Sequence, residues 1–234
     1  MSHKLLVSLV AVLVFNCAAP AQSTTITASG AGPLPGSAQD LTGIGVTQIV
    51  GNLAFPLGVD MFRITITNFA TFSAVTTGVS FGVPDTELFL FNASGLGVYA
   101  NDDATGANTL SCLPSGGGGN PCSSTRPSGV GPTSDGTYYL AITRSENGPL
   151  SVGGEIFNIL NSTDVVGPDT TMGGGSAVTG WDNNVFTGPD FDLTAFDILL
   201  TGTSLNVVPE PATWALILIG MLSLAIRRKL GARL

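Results

Sequence analysis

Met61-Phe62-Arg63-Ile64-Thr65-Ile66-Thr67 places Phe62, Ile64 and Ile66 on one face and Arg63, Thr65 and Thr67 on the other. A period of two is the mark of a half-buried strand. Further along, Glu87-Leu88-Phe89-Leu90-Phe91 is apolar on both faces, which predicts a central strand covered on both sides. Thr137-Tyr138-Tyr139-Leu140-Ala141-Ile142-Thr143 follows an Asp135-Gly136 turn, and Phe196-Asp197-Ile198-Leu199-Leu200-Thr201 is the last such run. Weaker candidates are Thr24–Ala28, Thr47–Leu53, Ser73–Phe81 and Glu155–Leu160. Gly, Pro, Asn and Asp separate these runs, and helical periodicity is nearly absent. The expectation is an all-β body, an antiparallel β-sandwich of jelly-roll-like form with roughly seven to nine strands. Thr105–Thr133 and Gly167–Gly180, the latter centred on Gly173-Gly174-Gly175, read as long Gly-rich loops that do not pack well.

The start of the chain reads as a secretory signal peptide over residues 1–21. Lys4 precedes the apolar stretch Leu5–Phe15, and Ala19-Pro20-Ala21 supplies small residues before a cut ahead of Gln22. Phe15-Asn16 before Cys17 lacks the small residue of a lipidation site, so lipidation is rejected. The body, 22–204, is large enough for one core and short for two.

Charge and residue types narrow its chemistry. The chain has 8 basic and 16 acidic residues, but in the body only Arg63, Arg126 and Arg144 face fifteen acids, a net charge of −12. Such a surface repels nucleic acid and anionic membranes and attracts divalent cations. The only histidine is His3, in the signal, and the body has no lysine. Ser–His, Cys–His and Ser–Lys nucleophiles, a lysine Schiff base and a His-ligated zinc are therefore impossible there. A carboxylate-pair glycosidase stays formally open, but aromatic residues are only 7% and no carboxylates are evidently paired with Trp. The body is expected not to be an enzyme. Cys112 and Cys122 remain after the signal is removed, and an even pair in an exported chain reads as one disulfide, a staple on the Gly-rich loop.

At the other end, Pro209-Glu210-Pro211 opens a run from Ala212 to Ile226 without charge, closed by Arg227-Arg228-Lys229. As a helix this run covers only about 22 Å, short against an apolar core of about 30 Å. Trp214 suits one interface and the basic cluster the other, so residues 212–226 are expected to form a transmembrane helix with its C-terminus cytoplasmic. The order of Pro-Glu-Pro, apolar run and basic cluster over 205–234 resembles the PEP-CTERM sorting signal of bacterial envelope proteins. An ordinary C-terminal anchor is the alternative. The resemblance implies export by the secretion machinery and recognition by an exosortase-type membrane processing enzyme. It further implies residence in the cell-envelope membrane, or release to the outer surface or extracellular matrix among polysaccharide.

A second resemblance lies in the body. Val59-Asp60-Met61-Phe62-Arg63-Ile64, Asp85-Thr86-Glu87-Leu88-Phe89-Leu90-Phe91-Asn92, Gly95, Asn101-Asp102-Asp103 and Gly136-Thr137-Tyr138-Tyr139-Leu140-Ala141-Ile142 occur in that order. Together they resemble the bacterial pre-peptidase C-terminal (PPC-like) domain, a β-sandwich appended to secreted proteases and surface proteins. The likeness covers roughly residues 58–204. Gly58 stands where that family usually carries an acidic residue.

A hard cation needs several oxygens from loops that can curl round it. Asp60, Asp85, Glu87, Asp102 and Asp103 sit at strand ends that a sandwich would bring together, with Asn101 as a further amide oxygen. They form a candidate calcium site, and Asx turns at hairpin ends are the plainer reading of the same residues. Asp182, Asp190, Asp192 and Asp197 lack ligand spacing and read as solvated. Trp181 reads either as a core residue or as an exposed platform for a sugar. Two functions follow as expectations: a non-enzymatic envelope or matrix protein sorted through its tail, or a calcium-dependent binding module for an extracellular glycan or protein.

Overall fold

The alternation at Met61–Thr67 is realised in an eight-residue strand, Val59–Ile66, that puts Phe62, Ile64 and Ile66 into the main core. The structure, a computed structural model, describes residues 23–54, 57–78, 85–105, 109–159, 163–184 and 194–203. The expected signal peptide (1–21), the sorting segment (205–234) with its helix at 212–226, and Asp190 and Asp192 lie outside these residues. Among the described residues no helix is long and apolar enough to cross a membrane. The one helical piece among the described residues is a 3-10 turn at Pro35–Ser37.

Thirteen strands occur among the described residues. In chain order they are β1 (Thr25–Thr27), β2 (Gln39–Asp40), β3 (Gln48–Asn52), β4 (Val59–Ile66), β5 (Ser73–Thr76), β6 (Thr86–Asn92) and β7 (Gly97–Asn101), then β8 (Cys112–Leu113), β9 (Gly136–Arg144), β10 (Pro149–Ser151), β11 (Gly154–Glu155), β12 (Val178–Trp181) and β13 (Ala195–Thr201). The first five-stranded sheet has the order β1-β3-β13-β5-β8, the second β2-β4-β9-β6-β7, and a small third sheet β11-β10-β12. The fold is all-β and sandwich-like: side chains of both five-stranded sheets share one core, with Phe62 of β4 meeting Phe196 of β13 edge to face at 6.3 Å.

Two pairings depart from the antiparallel expectation. β1 runs parallel to β3, and β2 parallel to β4. The cause is the path of the chain, which crosses from the first sheet to the second twice in succession, β1 to β2 and then β3 to β4. Two crossings in the same sense lay like-directed strands side by side, and the added edge strands are only three and two residues long.

The second sheet is covered on both faces, which explains the apolar run in β6. Leu88 and Leu90 point into the main core, while Phe89 and Phe91 point outward into a second core with Ile156, Phe157, Val178 and Trp181. Trp181 is a core residue: it packs on Phe89 at 5.5 Å and on Phe91 at 6.5 Å, and its Nε1 donates to the Pro33 carbonyl at 2.7 Å. Each large apolar side chain buried here contributes about 1.5–3 kcal/mol, against about 0.5–1.5 kcal/mol net per hydrogen bond. The third sheet, whose strands are two to four residues long, is thus held mainly by its side chains.

The expected strand at Glu155–Leu160 is strand only at Glu155; Ile156–Ile159 is irregular backbone with Ile156, Phe157 and Ile159 buried. The Gly-rich stretches also pack more than expected. Ser111, Cys112, Leu113 and Ser115 are buried around β8, and the second stretch runs into β12 at Val178.

Candidate cation site and acidic cavity

Antiparallel pairing of β6 with β7 sets Leu88 opposite Asn101. The residues just before β6 and just after β7 are thereby brought together. One carboxylate oxygen from each of Asp85, Asp102 and Asp103 lies within 4.8 Å of the others. Asp85 and Asp102 are buried and Asp103 is partly so. Oδ1 of Asp102 and Oδ1 of Asp103 are shielded from solvent with no hydrogen-bond donor on them.

Electrostatics follow from this crowding. Burial first, then the charges of Asp103, Asp85 and Glu146, push Asp102 up to about 8. Burial alone raises Asp103. Glu87, on β6, is 3% exposed and is raised well above the carboxylate range by burial and then by Asp102. Its carboxylate accepts the Thr143 hydroxyl at 3.3 Å and the Glu146 backbone N–H at 3.1 Å. Glu146 makes that bond from the left-handed region, φ 68°. Carboxylates in this state are relieved by protons or by a cation.

Of the five sequence-predicted ligands, the structure gathers Asp85, Asp102 and Asp103, sets Glu87 beside them and leaves Asp60 apart. Asp60 is on β4, and β9 and β6 lie between β4 and β7, so at about 4.8 Å per strand the gap is about 14 Å. Burial alone lifts Asp60 to about 6. Gly58 is closed to the acidic residue of the resembling family, because a Cβ there would collide with the Ala54 backbone. Asn101 is a clamp whose amide oxygen is already engaged: Oδ1 accepts the Cys112 N–H at 2.8 Å, and Nδ2 donates to the carbonyls of Asp103 at 3.1 Å and Asp164 at 3.3 Å. Cys112 and Cys122 are disulfide-bonded, Cα atoms 5.7 Å apart. Behind the clamp, the Thr86 hydroxyl bonds to those of Thr76 and Ser111, and the Ser111 N–H donates to the Thr76 hydroxyl, tying β5 of the first sheet to β6 of the second.

A cavity of about 230 Å³ on the outer side of the second sheet had no counterpart in the sequence reading. Glu87 and Asp102 are among its lining, joined by Glu146, Glu155 and Asp182 from three separate segments of the chain. Asp182, expected to be solvated, also accepts the Asn184 N–H at 3.1 Å. Asp197, by contrast, takes the amide of Gln48 at 2.9 Å on the first sheet. The Asn-Gly pair at Asn147-Gly148 was the one local signal of a turn near the cavity.

Residues 207–229 match the family model of the PEP-CTERM protein-sorting motif. The chain carries an exosortase sorting signal. The PEP-CTERM motif marks an exported protein sorted, and processed by an exosortase, at the membrane, and it contains Pro209-Glu210-Pro211 and Arg227-Arg228-Lys229. No curated protein and no solved structure matches the chain. The likeness of the body to the PPC-like domain therefore rests on its residue blocks alone.

Proposed function

We propose that this chain is a non-enzymatic protein of the cell envelope or extracellular matrix, exported through its signal peptide and sorted by an exosortase through its PEP-CTERM tail. The motif at 207–229 carries this reading. A body without histidine or lysine supports the absence of catalysis. The tail acts at the membrane as a helix over 212–226, and the β-sandwich body is displayed or released among extracellular polysaccharide. Intact mass of the protein from envelope and medium tests this. A mass ending near Pro209-Glu210-Pro211 is expected, and a full-length tail retained in the membrane fraction overturns the exosortase step.

A second reading is favoured by one observation, the three carboxylate oxygens of Asp85, Asp102 and Asp103 within 4.8 Å. Calcium held there would order the ends of β6 and β7 and make the body a calcium-dependent binding module for a glycan or protein. At about 100 times its dissociation constant calcium would stabilise the fold by about 2.7 kcal/mol. The melting temperature is expected to rise with calcium chloride in the parent and not in Asp103→Asn; equal melting with calcium and with chelator rejects the site.

A further inference from the structure

The acidic cavity beside the carboxylate cluster has features that a bare metal ion does not require. Its volume of about 230 Å³ is several times the roughly 30 Å³ of one water molecule. Pro149, Phe157 and Ile159 give it an apolar wall, and Phe157 and Ile159 are themselves core residues. Its inner end is made by Glu87 and Asp102, each 3% exposed, and its rim by the exposed Glu146 and Asn184. Among the described residues that line it there is no basic side chain. Most telling is Asp102, a lining residue only 3% exposed, whose carboxylate has an oxygen that accepts no hydrogen bond.

An apolar wall leading to buried acceptors suits a ligand with a hydrocarbon stem and a cationic, donor-only tip. An ammonium has three N–H donors and no acceptor, and a methylene stem covers apolar surface while its head is solvated by carboxylates. We propose that this cavity binds an aliphatic primary ammonium, either a diamine or a lysine side chain of another molecule. The body cannot supply such a group itself, since no lysine occurs between residues 22 and 208. In the bound state the ammonium donates to the Asp102 carboxylate, with Asp182 and Glu155 flanking the ligand and Phe157 packed along its stem.

Titration calorimetry of the full-length protein in detergent tests this with two probes: 1,5-diaminopentane, and a peptide with blocked termini carrying one lysine. Saturable binding is expected, weakened about tenfold or more in Asp102→Asn and in Asp182→Asn. It is expected to be unchanged in Asp197→Asn, whose carboxylate takes the Gln48 amide on the first sheet and does not line the cavity. Binding of both probes means the ammonium and stem suffice; binding of the peptide alone assigns the site to a protein partner. Glu155→Gln gives the same comparison should Asp102→Asn fail to fold. Absence of saturable binding by either probe overturns the proposal. So does binding that Asp182→Asn and Glu155→Gln leave untouched, or displacement of the diamine by calcium that tracks Asp103 alone.

Discussion

Asn101 ties Cys112 to the acidic cluster: its Oδ1 accepts the Cys112 N–H at 2.8 Å while its Nδ2 donates to the Asp103 carbonyl at 3.1 Å. The side chain is fully buried. Asn101→Ala removes the Asn101 amide from the Cys112 N–H and the Asp103 carbonyl at once. Buried polar groups left so cost about 1–3 kcal/mol each when water cannot reach them. A loss of about 3 kcal/mol is expected in urea unfolding, and a loss below about 1 kcal/mol would show that solvent replaces the clamp.

The disulfide joins residues separated by 10 positions in a Gly- and Pro-rich segment. Chain entropy over such a loop contributes on the order of 2–3 kcal/mol. The double variant Cys112→Ala with Cys122→Ala is expected to unfold with that deficit. Because the Asn101 clamp holds the same strand independently, calcium or diamine binding, where measured, is expected to weaken less than in Asn101→Ala.

Asp60 gives a pH signature separate from the cluster. An aspartate titrates near 3.9 in an unfolded chain, and burial lifts Asp60 to about 6. The folded state therefore keeps a proton that the unfolded state releases. This contribution to stability is complete below the unfolded value and is lost as pH rises through the folded one. Asp60→Asn removes the penalty. Allowing for solvent screening of a part-exposed group, it is expected to stabilise by about 1 kcal/mol at about pH 7.5, a rise in melting temperature of about 2–4 °C, and to have little effect at about pH 3.5. Equal gain at both pH values would sink the electrostatic account.

Trp181 closes the second core. Trp181→Ala removes the ring from Phe89 and Phe91 and the hydrogen bond to Pro33, with an expected cost of about 3–5 kcal/mol. Trp181→Phe keeps most of the packing and loses the Nε1 donor, leaving the Pro33 carbonyl bare, for about 1–2 kcal/mol. Comparable unfolding midpoints for the two variants would mean that the hydrogen bond, and not the packing, holds the third layer.

The strands legible in the sequence are long ones with at least one long partner. β4 and β9 pair over eight successive residues and β6 and β9 over seven, so their side-chain alternation is strict. The outer layer was not legible, because its strands are only two to four residues long and Ile156, Phe157 and Ile159 are buried from irregular backbone that carries no period. Asp85, Asp102 and Asp103 could be read as neighbours from the ends of one hairpin. Asp60 could not be separated from them without the sheet order, which puts two strands in between. The cavity depends on Glu146, Glu155 and Asp182 meeting from different segments, a long-range fact with no local signature.

The strand order also dictates when the body can finish folding. β13, residues 195–201, is the middle strand of the first sheet, bonded to β3 on one side and β5 on the other. Until it arrives, both neighbours present bare backbone and the main core lacks Phe196, Ile198 and Leu200. A chain threaded outward from its N-terminus thus cannot close on itself partway through export. Completion waits for the stretch that ends six positions before the sorting motif begins at 207, so assembly of the body and emergence of its address label are timed to the same late moment.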